Sequence, residues 1–118
     1  TCHWQALPPM HVARLGCAAA STARVLYVFG GHGEGQALAV VERLDLSRGV
    51  WELLEPMPTP RLGCVAVAAA GRVCVVGGHD GEQAVGAAEC LDLTGLQWQK
   101  LPSLPTPRYA CGGAATAA

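Results

Sequence analysis

Short apolar runs, separated by polar and glycine-rich segments, dominate the chain. Residues 25–29 form a run that is apolar on both faces and stops at the glycine pair 30–31, and residues 72–76 stop in the same way at 77–78. A short apolar run that ends at a glycine pair indicates a buried strand followed by a turn with unusual backbone angles. No helical periodicity of useful length appears elsewhere. The pattern therefore predicts an all-β chain.

This pattern repeats with a period of 47 residues. Residues 14–60 placed over 61–107 without a gap match at 21 of 47 positions, so the repeat is tandem. A fixed period of about 20 to 50 residues is typical of stacked supersecondary units. The sequence therefore divides into residues 1–13, the last strand of a preceding unit; two complete units at 14–60 and 61–107; and residues 108–118, the first strand of a following unit.

Each complete unit contains four predicted strands. In the first unit they lie within 14–22, 25–29, 39–46 and 50–54, and residues 32–36 form a polar, glycine-rich loop after the second strand. The proline-rich segment that follows argues against both helix and ladder pairing. We therefore expect the chain to cross to the next unit there.

Composition and charge exclude several classes of protein. Apolar residues make up 51% of the chain, charged residues 14%, and the formal net charge is −1, which indicates a folded domain rather than disorder. The eight Lys and Arg residues are scattered, so no nucleic-acid partner is expected. No apolar stretch reaches the roughly 18 residues that span a bilayer. We therefore expect no membrane partner, and no targeting signal is visible.

Six cysteines raise the question of disulfides. Three occupy one position of the repeat, which indicates a small buried side chain: Cys17, Cys64 and Cys111. Three have no counterpart in the repeat, and no spacing suits zinc: Cys2, Cys74 and Cys90. The arrangement favours a reduced, intracellular (cytoplasmic) chain, with a secreted disulfide protein as the alternative.

Four features recur at fixed spacing in the two units: a glycine pair after the second strand, Leu-Asp at the end of the third, Trp on the fourth, and Pro-Arg at the boundary. They stand at Gly30-Gly31 and Gly77-Gly78, Leu44-Asp45 and Leu91-Asp92, Trp51 and Trp98, and Pro60-Arg61 and Pro107-Arg108. Over the whole chain this combination resembles the kelch repeat, whose units are blades of a β-propeller. One departure is Cys74, which stands where the first unit has Tyr27.

The resemblance implies four-stranded antiparallel blades. The alanine-rich first strand of each blade would lie near the propeller axis, and Trp51 and Trp98 would fill the widening gap between blades. Propellers need roughly 4 to 8 blades to close, so the propeller is expected to be incomplete in one chain. Either further blades of a longer protein or self-association of several copies would complete it.

Antiparallel strands alternate in direction, so the loops after strands two and four open on one face. In kelch proteins that bind peptides this face commonly does the binding, and the resemblance therefore implies a protein or peptide partner. The candidate partner-binding residues are Arg14, His32, Glu34, Arg61, His79, Asp80, Glu82, Arg108 and Tyr109.

The candidates that recur in every unit also have structural explanations. The repeated arginine is expected to bond backbone carbonyls or the repeated Glu42 or Glu89, and the repeated histidine to fix a turn. Tyr109 replaces a leucine of the repeat, so it escapes this argument. Departures from the repeat are better ligand candidates than residues that match it.

No feature of the sequence predicts an enzyme, a cofactor or a metal site. The four histidines are too dispersed for a copper centre like that of kelch-like propeller oxidases. The glycine-rich segment 30–33 lacks the lysine of a phosphate loop, and no nucleophile stands beside a base.

The predicted function is a protein-interaction module. Substrate recognition for a ubiquitin-ligase adaptor is one form of it in a longer parent protein. The alternatives are a structural or assembly fragment without its own ligand, and part of a kelch-like propeller oxidase.

Overall fold

A computed structural model describes residues 3–102. These residues contain ten β-strands and no helix, so the described chain has no helix that could cross a membrane. In chain order the strands are β1 (Ala18–Thr22), β2 (Val25–Phe29), β3 (His32–Gly33), β4 (Gln36–Ala37), β5 (Val41–Asp45), β6 (Val50–Leu53), β7 (Val65–Ala69), β8 (Arg72–Val76), β9 (Ala88–Asp92) and β10 (Gln97–Leu101).

The strands form two four-stranded antiparallel sheets of the same topology. The first has the order β1-β2-β5-β6 and the second β7-β8-β9-β10, and every neighbouring pair is antiparallel. One sheet lies within residues 14–60 and the other within 61–107. The all-β class and the four-stranded antiparallel blades are thereby confirmed.

The segment after β2 differs from the sequence prediction, because it contains a small hairpin rather than only a loop. His32 pairs with Ala37 and Gly33 pairs with Gln36 in the two-stranded sheet β3-β4. Glu34 and Gly35, between these strands, have φ angles of 51° and 81°. Two successive residues with positive φ form the tight turn that suits a two-residue hairpin. Both residues of this turn are exposed to solvent.

Residues 3–13 were predicted to be a strand but contain none. They lie beside the first sheet, where Trp51 Nε1 donates to Pro8 O at 2.7 Å and the His11 amide donates to Glu42 Oε1 at 2.8 Å. A strand needs a backbone neighbour with which to form a ladder, and residues 3–102 offer none to this segment. The predicted strand at 108–118 lies outside the described residues.

The hydrophobic core lies between the two sheets. Tyr27, Phe29 and Val41 of the first sheet pack with apolar residues of the second, including Val73 and Leu91. The Phe29 ring meets the edge of the Trp98 ring with centroids 6.1 Å apart. Each fully buried large apolar side chain contributes about 1.5 to 3 kcal/mol. The predicted position of Trp98 between two blades is thus confirmed, and the alanine-rich strands β1 and β7 are also in contact.

Backbone hydrogen bonds also join the two units. Gly31 N donates to Arg61 O at 2.9 Å, Arg61 N donates to Leu38 O at 3.0 Å, and Gly63 N donates to Gly16 O at 2.9 Å. A Cβ at Gly30 would stand 2.3 Å from Arg61 O, closer than any real contact. The glycine pair therefore allows the entry to the second unit to approach the first.

A disulfide links Cys74 and Cys90, so the expectation of a reduced chain is wrong for this pair. The two residues lie opposite each other on β8 and β9, with Cα atoms 4.1 Å apart. Cys64 is buried as predicted, whereas Cys17 is exposed. The second unit packs against the first, but nothing among residues 3–102 covers the first unit in the same way.

Candidate functional site

The loops after the second and fourth strands meet on one face, as the sequence predicts. Leu15 pairs with His32 and Leu62 pairs with His79, each through two backbone hydrogen bonds of 2.7–3.0 Å. The segment that enters each sheet therefore lies beside the loop after that sheet's second strand. We call this surface the loop face, and within the described chain it comprises residues 14–16, 30–40, 61–63 and 77–87.

Arg61 holds the base of the second unit's loop. Its Nη1 donates to Gly77 O at 2.8 Å and to Ala87 O at 2.9 Å, and its Nη2 donates to Glu89 Oε1 at 2.5 Å. Arg14 makes the equivalent three contacts in the first unit, to Gly30 O, Val40 O and Glu42. These bonds to backbone carbonyls and to the repeated glutamate are the structural role that the sequence offered as the alternative to ligand binding.

The side chains of these two arginines are too deeply buried to contact a binding partner. The side chains of Arg14 and Arg61, and of the glutamates that they pair with, are fully inaccessible to solvent. Each arginine also leaves its Nε buried without a hydrogen bond, a cost that its three other bonds offset. In this structure the two guanidinium groups organise the loop face from beneath and are not part of its surface.

The Glu42 carboxylate accepts hydrogen bonds from two residues, Arg14 and His11. Besides Arg14, the His11 amide and ring Nδ1 lie 2.8 and 2.9 Å from Glu42 Oε1. Burial by itself raises the pKa of Glu42, but the hydrogen bonds from His11 and Arg14 and the charge of Arg14 outweigh it, and the pKa falls below its ordinary value of 4.5. Glu42 therefore stays ionised inside the fold.

The two histidines of the loop face, His32 and His79, are partly buried, and each directly follows the glycine pair of its unit. His32 forms the first residue of β3, and its backbone pairs with Leu15. His79 Nδ1 accepts a hydrogen bond from the Gly81 amide at 3.0 Å, so the imidazole helps to shape the turn that follows. This contact agrees with the turn-fixing role considered from the sequence.

Asp80 shapes the same turn from the other side. Its Oδ1 accepts hydrogen bonds from the amides of Glu82 at 2.8 Å and Gln83 at 2.9 Å. The bonds from Gln83 and then Glu82 lower the pKa of Asp80 below its ordinary value, because they favour the charged carboxylate. Asp80 thus carries a stable negative charge on the loop face.

An open groove of about 410 Å³ runs between the loops of the two units. Its lining comprises residues 35–37 from the hairpin of the first unit, Pro60, and residues 80–82 from the second. The two loops are close, since a Cβ at Gly81 would lie 4.0 Å from Ala37 Cβ. Glu34 stands exposed at the hairpin tip beside this groove. We call it the interblade groove.

The acidic residues of the interblade groove and its rim are departures from the repeat. Glu34 corresponds to Gly81, Asp80 to Gly33, and Glu82 to Gly35. Each was named from the sequence, but their meeting at one groove was not predicted, nor was the part that Gln36 and Pro60 play in its lining. Comparison of the two units position by position would have marked the three carboxylates as unlike their counterparts.

A second, larger groove of about 700 Å³ lies between residues 55–58 and 96–98. There Trp98 Nε1 donates to Glu55 O at 3.1 Å, and Trp51 makes the corresponding bond to Pro8 O in the first unit. Because the arrangement recurs in both units, it serves the packing of the repeat. We therefore place the candidate site at the interblade groove.

Two candidates, Arg108 and Tyr109, lie outside the described residues. Among residues 3–102, no group of three or more His, Cys, Asp or Glu side chains is arranged to hold a metal ion. No observation on the described part of the chain favours the oxidase alternative.

Replacement of Arg61 by methionine is expected to destabilise the chain strongly. Arg61→Met removes the guanidinium, so that buried Glu89 loses its charged partner and keeps only the Thr59 hydroxyl as a side-chain donor, and two carbonyls lose the donor that Arg61 supplied. Loss of one partner of a buried ion pair costs about 3–5 kcal/mol, measurable as a lower free energy of unfolding in urea. Arg48→Met is the control, because Arg48 is exposed and its loss should cost no more than about 0.5 kcal/mol. Equal effects of the two substitutions would contradict the assignment.

Acid is expected to remove the contribution of Glu42 to stability. Because the folded-state pKa of Glu42 is lowered, its stabilisation is complete above the ordinary value of 4.5 and is lost as the pH falls through the folded-state value. The difference in unfolding free energy between the wild type and Glu42→Gln should therefore shrink between pH 7 and pH 3. A difference that stays constant over this range would show that the carboxylate charge is not what stabilises the fold.

Comparison with known proteins agrees with this architecture. The family model described as the KLHDC2/KLHL20/DRC7 Kelch-repeats domain matches residues 1–118, which is the entire chain. No match was found among curated proteins. Kelch-repeat domains are protein-interaction folds and are not typically catalytic. The chain therefore belongs to the kelch-repeat family, and its two sheets are blades of a β-propeller protein-interaction module.

Proposed function

We propose that this kelch module binds a basic segment of a protein or peptide through its loop face. The observation that carries the proposal is the interblade groove, which joins two loops from different blades. Asp80 and Glu82 line it, and Glu34 stands at its rim.

Electrostatics supports a basic partner. The described part of the loop face presents Glu34, Asp80 and Glu82, whereas its two arginines are buried and neutralised by their glutamates. Lowering of the Asp80 pKa keeps that carboxylate charged at neutral pH. Complementary charge speeds encounter and selects against acidic partners. Lysine or arginine side chains are therefore the chemistry that fits this groove.

Preorganisation also favours binding at this place. Arg14 and Arg61 fix the bases of the two loops, a hairpin shapes the first loop, and the Asp80 turn shapes the second. A partner that docks on loops already held in place does not have to order them first. The groove therefore has a defined shape before any partner binds.

A longer parent protein could use such a face to select substrates. We propose the ubiquitin-ligase adaptor role as one specific form of this function, because kelch propellers supply the substrate-recognition part of many such adaptors. The intracellular location expected from the sequence is compatible with that role.

Reversal of charge at the groove is expected to weaken binding of a labelled oligolysine peptide. The double variant Glu34→Lys, Glu82→Lys replaces attraction by repulsion, and its dissociation constant should rise at least about tenfold. Fluorescence anisotropy at low and moderate salt provides the measurement, and added salt should weaken binding to the wild type. An oligoglutamate peptide of the same length should not bind.

The matched control is the triple variant Glu55→Lys, Gln97→Lys, Gln99→Lys, whose three positions are exposed. It changes the net charge by the same amount but places the new lysines on β10 and on the segment after β6, away from the loop face. Equal weakening by the charge-reversal variant and this control would mean that only overall charge matters. Failure of the wild type to bind oligolysine at all would overturn the proposal.

A second candidate function is assembly with another kelch blade. Leu15 is 69% exposed although its counterpart Leu62 is half-buried, and Cys17 is exposed although Cys64 is buried. Trp4 is also fully exposed. An exposed apolar surface whose equivalent is covered in the next unit fits a further blade, supplied by a longer chain or by a second copy.

Light scattering over a range of concentrations tests assembly between copies. We expect the solution mass to rise above 12.2 kDa towards a defined oligomer. Leu15→Glu should suppress the increase, because it places a charge on the surface to be covered. Leu46→Glu, at an exposed leucine in a turn on the opposite face, should not. A chain that stays monomeric at every concentration would contradict assembly between copies.

A further inference from the structure

The Cys74–Cys90 disulfide replaces a polar pair of the first unit. Tyr27 and Arg43 are opposite each other on β2 and β5, and 47 residues later the same two positions hold Cys74 and Cys90 on β8 and β9. Both members of the pair have changed together. The second unit therefore has a covalent bond where the first has a non-covalent contact.

The first unit shows which contact joins these two positions when neither is a cysteine. Arg43 Nε donates to Glu52 Oε1 at 3.2 Å and also interacts with the Tyr27 hydroxyl. Burial lowers the pKa of Arg43, but the hydrogen bonds and charges of Glu52 and Tyr27 outweigh it and raise that pKa. The polar pair thus joins the second and third strands of its sheet without a covalent bond.

The disulfide lies at the base of the loop that forms one wall of the interblade groove. Strands β8 and β9 hold residues 77–87 between them, and only the pairs Val75–Glu89 and Val76–Ala88 separate the disulfide from that loop. The first backbone bond above these pairs is long, with Gly77 N at 3.4 Å from Ala87 O. The equivalent bond in the first unit measures 2.9 Å. Opening from the loop would therefore meet the disulfide within two residue pairs.

We propose that Cys74 and Cys90 form a reversible thiol–disulfide switch that sets how far the loop 77–87 can open. When oxidised, the bond stops separation of β8 and β9 below the loop. When reduced, the five-pair ladder between these strands remains, but nothing covalent limits its opening. The second sheet stays folded in both states, and the mobility of its loop differs.

The chemistry is a two-electron exchange with a dithiol reductant. A thiolate of the reductant attacks Cys74 Sγ, which belongs to the partly exposed partner, whereas Cys90 is only 1% exposed. The sulfur–sulfur bond breaks, its electron pair goes to Cys90 Sγ, and that sulfur takes up a proton. The second thiolate of the reductant attacks its own sulfur in the mixed disulfide and releases Cys74, which is protonated. The reductant becomes a disulfide, and a disulfide oxidant reverses the process.

The effect of this switch on partner binding rests on the proposed function, since residues 80–82 form part of the groove. Greater mobility of the loop would add an ordering cost to binding. Loop opening itself does not depend on any partner and can be measured on the chain alone.

Hydrogen exchange with mass spectrometry tests the switch on the full chain. One sample is oxidised with glutathione disulfide and another is reduced with dithiothreitol. Cleavage after Arg72 and Lys100 gives a peptide, 73–100, that contains both cysteines and reports their state by blocking with N-ethylmaleimide. We expect both thiols to be blocked only in the reduced sample. Exchange of amides 77–87 should then rise about tenfold or more on reduction, and that of residues 30–40 should not change.

The triple variant Cys74→Tyr, Cys90→Arg, Gln99→Glu is the matched control, because it installs Tyr27, Arg43 and the Glu52 partner of Arg43 at the same register. Its loop should exchange at one rate with and without dithiothreitol. Thiols of the wild type that are blocked fully after glutathione disulfide treatment would overturn the proposal, as would equal exchange of 77–87 in the two redox states. Binding of oligolysine is measured separately, so a chain that switches without binding would contradict only the proposed function.

Discussion

The arrangement of the molecule depends on Arg61, because one residue ties three parts of the chain together. Its guanidinium bonds both ends of the loop in its own unit and pairs with buried Glu89. Its backbone carbonyl and amide bond Gly31 and Leu38 of the preceding unit. A buried charge is costly unless it is paired and hydrogen-bonded, and the three bonds of this guanidinium offset its unbonded Nε, so such a network tolerates little displacement. Through its side chain and its backbone, Arg61 thus connects the loop of its own unit to the loop of the preceding blade.

This constraint explains features of the sequence that are otherwise only a motif. A Cβ at Gly30 would clash with Arg61 O at the entry to the next unit, and a Cβ at Gly31 would clash with Leu15 O at the entry to its own unit. The glycine pair and the boundary arginine are thus two sides of one joint between blades. The interblade groove lies directly beside that joint, between Pro60 and the two loops. Its walls are held by the same contacts that join the blades.

Much of the fold could be predicted because its signals are local. Strand β2 was predicted with its observed bounds from an apolar run closed by glycines, and each sheet lies within one 47-residue stretch of the sequence. The hairpin β3-β4 was missed because strands of two residues carry no periodicity. Residues 3–13 show the opposite failure, since a sequence that matches a strand forms none without a neighbour. The groove could not be predicted, because its shape depends on how closely two loops from different units approach.

The disulfide was missed for a different reason, and that reason bears on how repeat proteins should be interpreted. Each cysteine was compared with its counterpart one unit away, so Cys74 and Cys90 appeared as two unrelated departures. Compared across the strands instead, they fall on the register that joins Tyr27 to Arg43, and their joint change becomes one event. The departures Asp80 and Glu82 likewise lie together, at one groove beside the hairpin that carries Glu34. Residues that match the repeat build the blade, and paired departures show where one blade has acquired properties that its neighbour lacks.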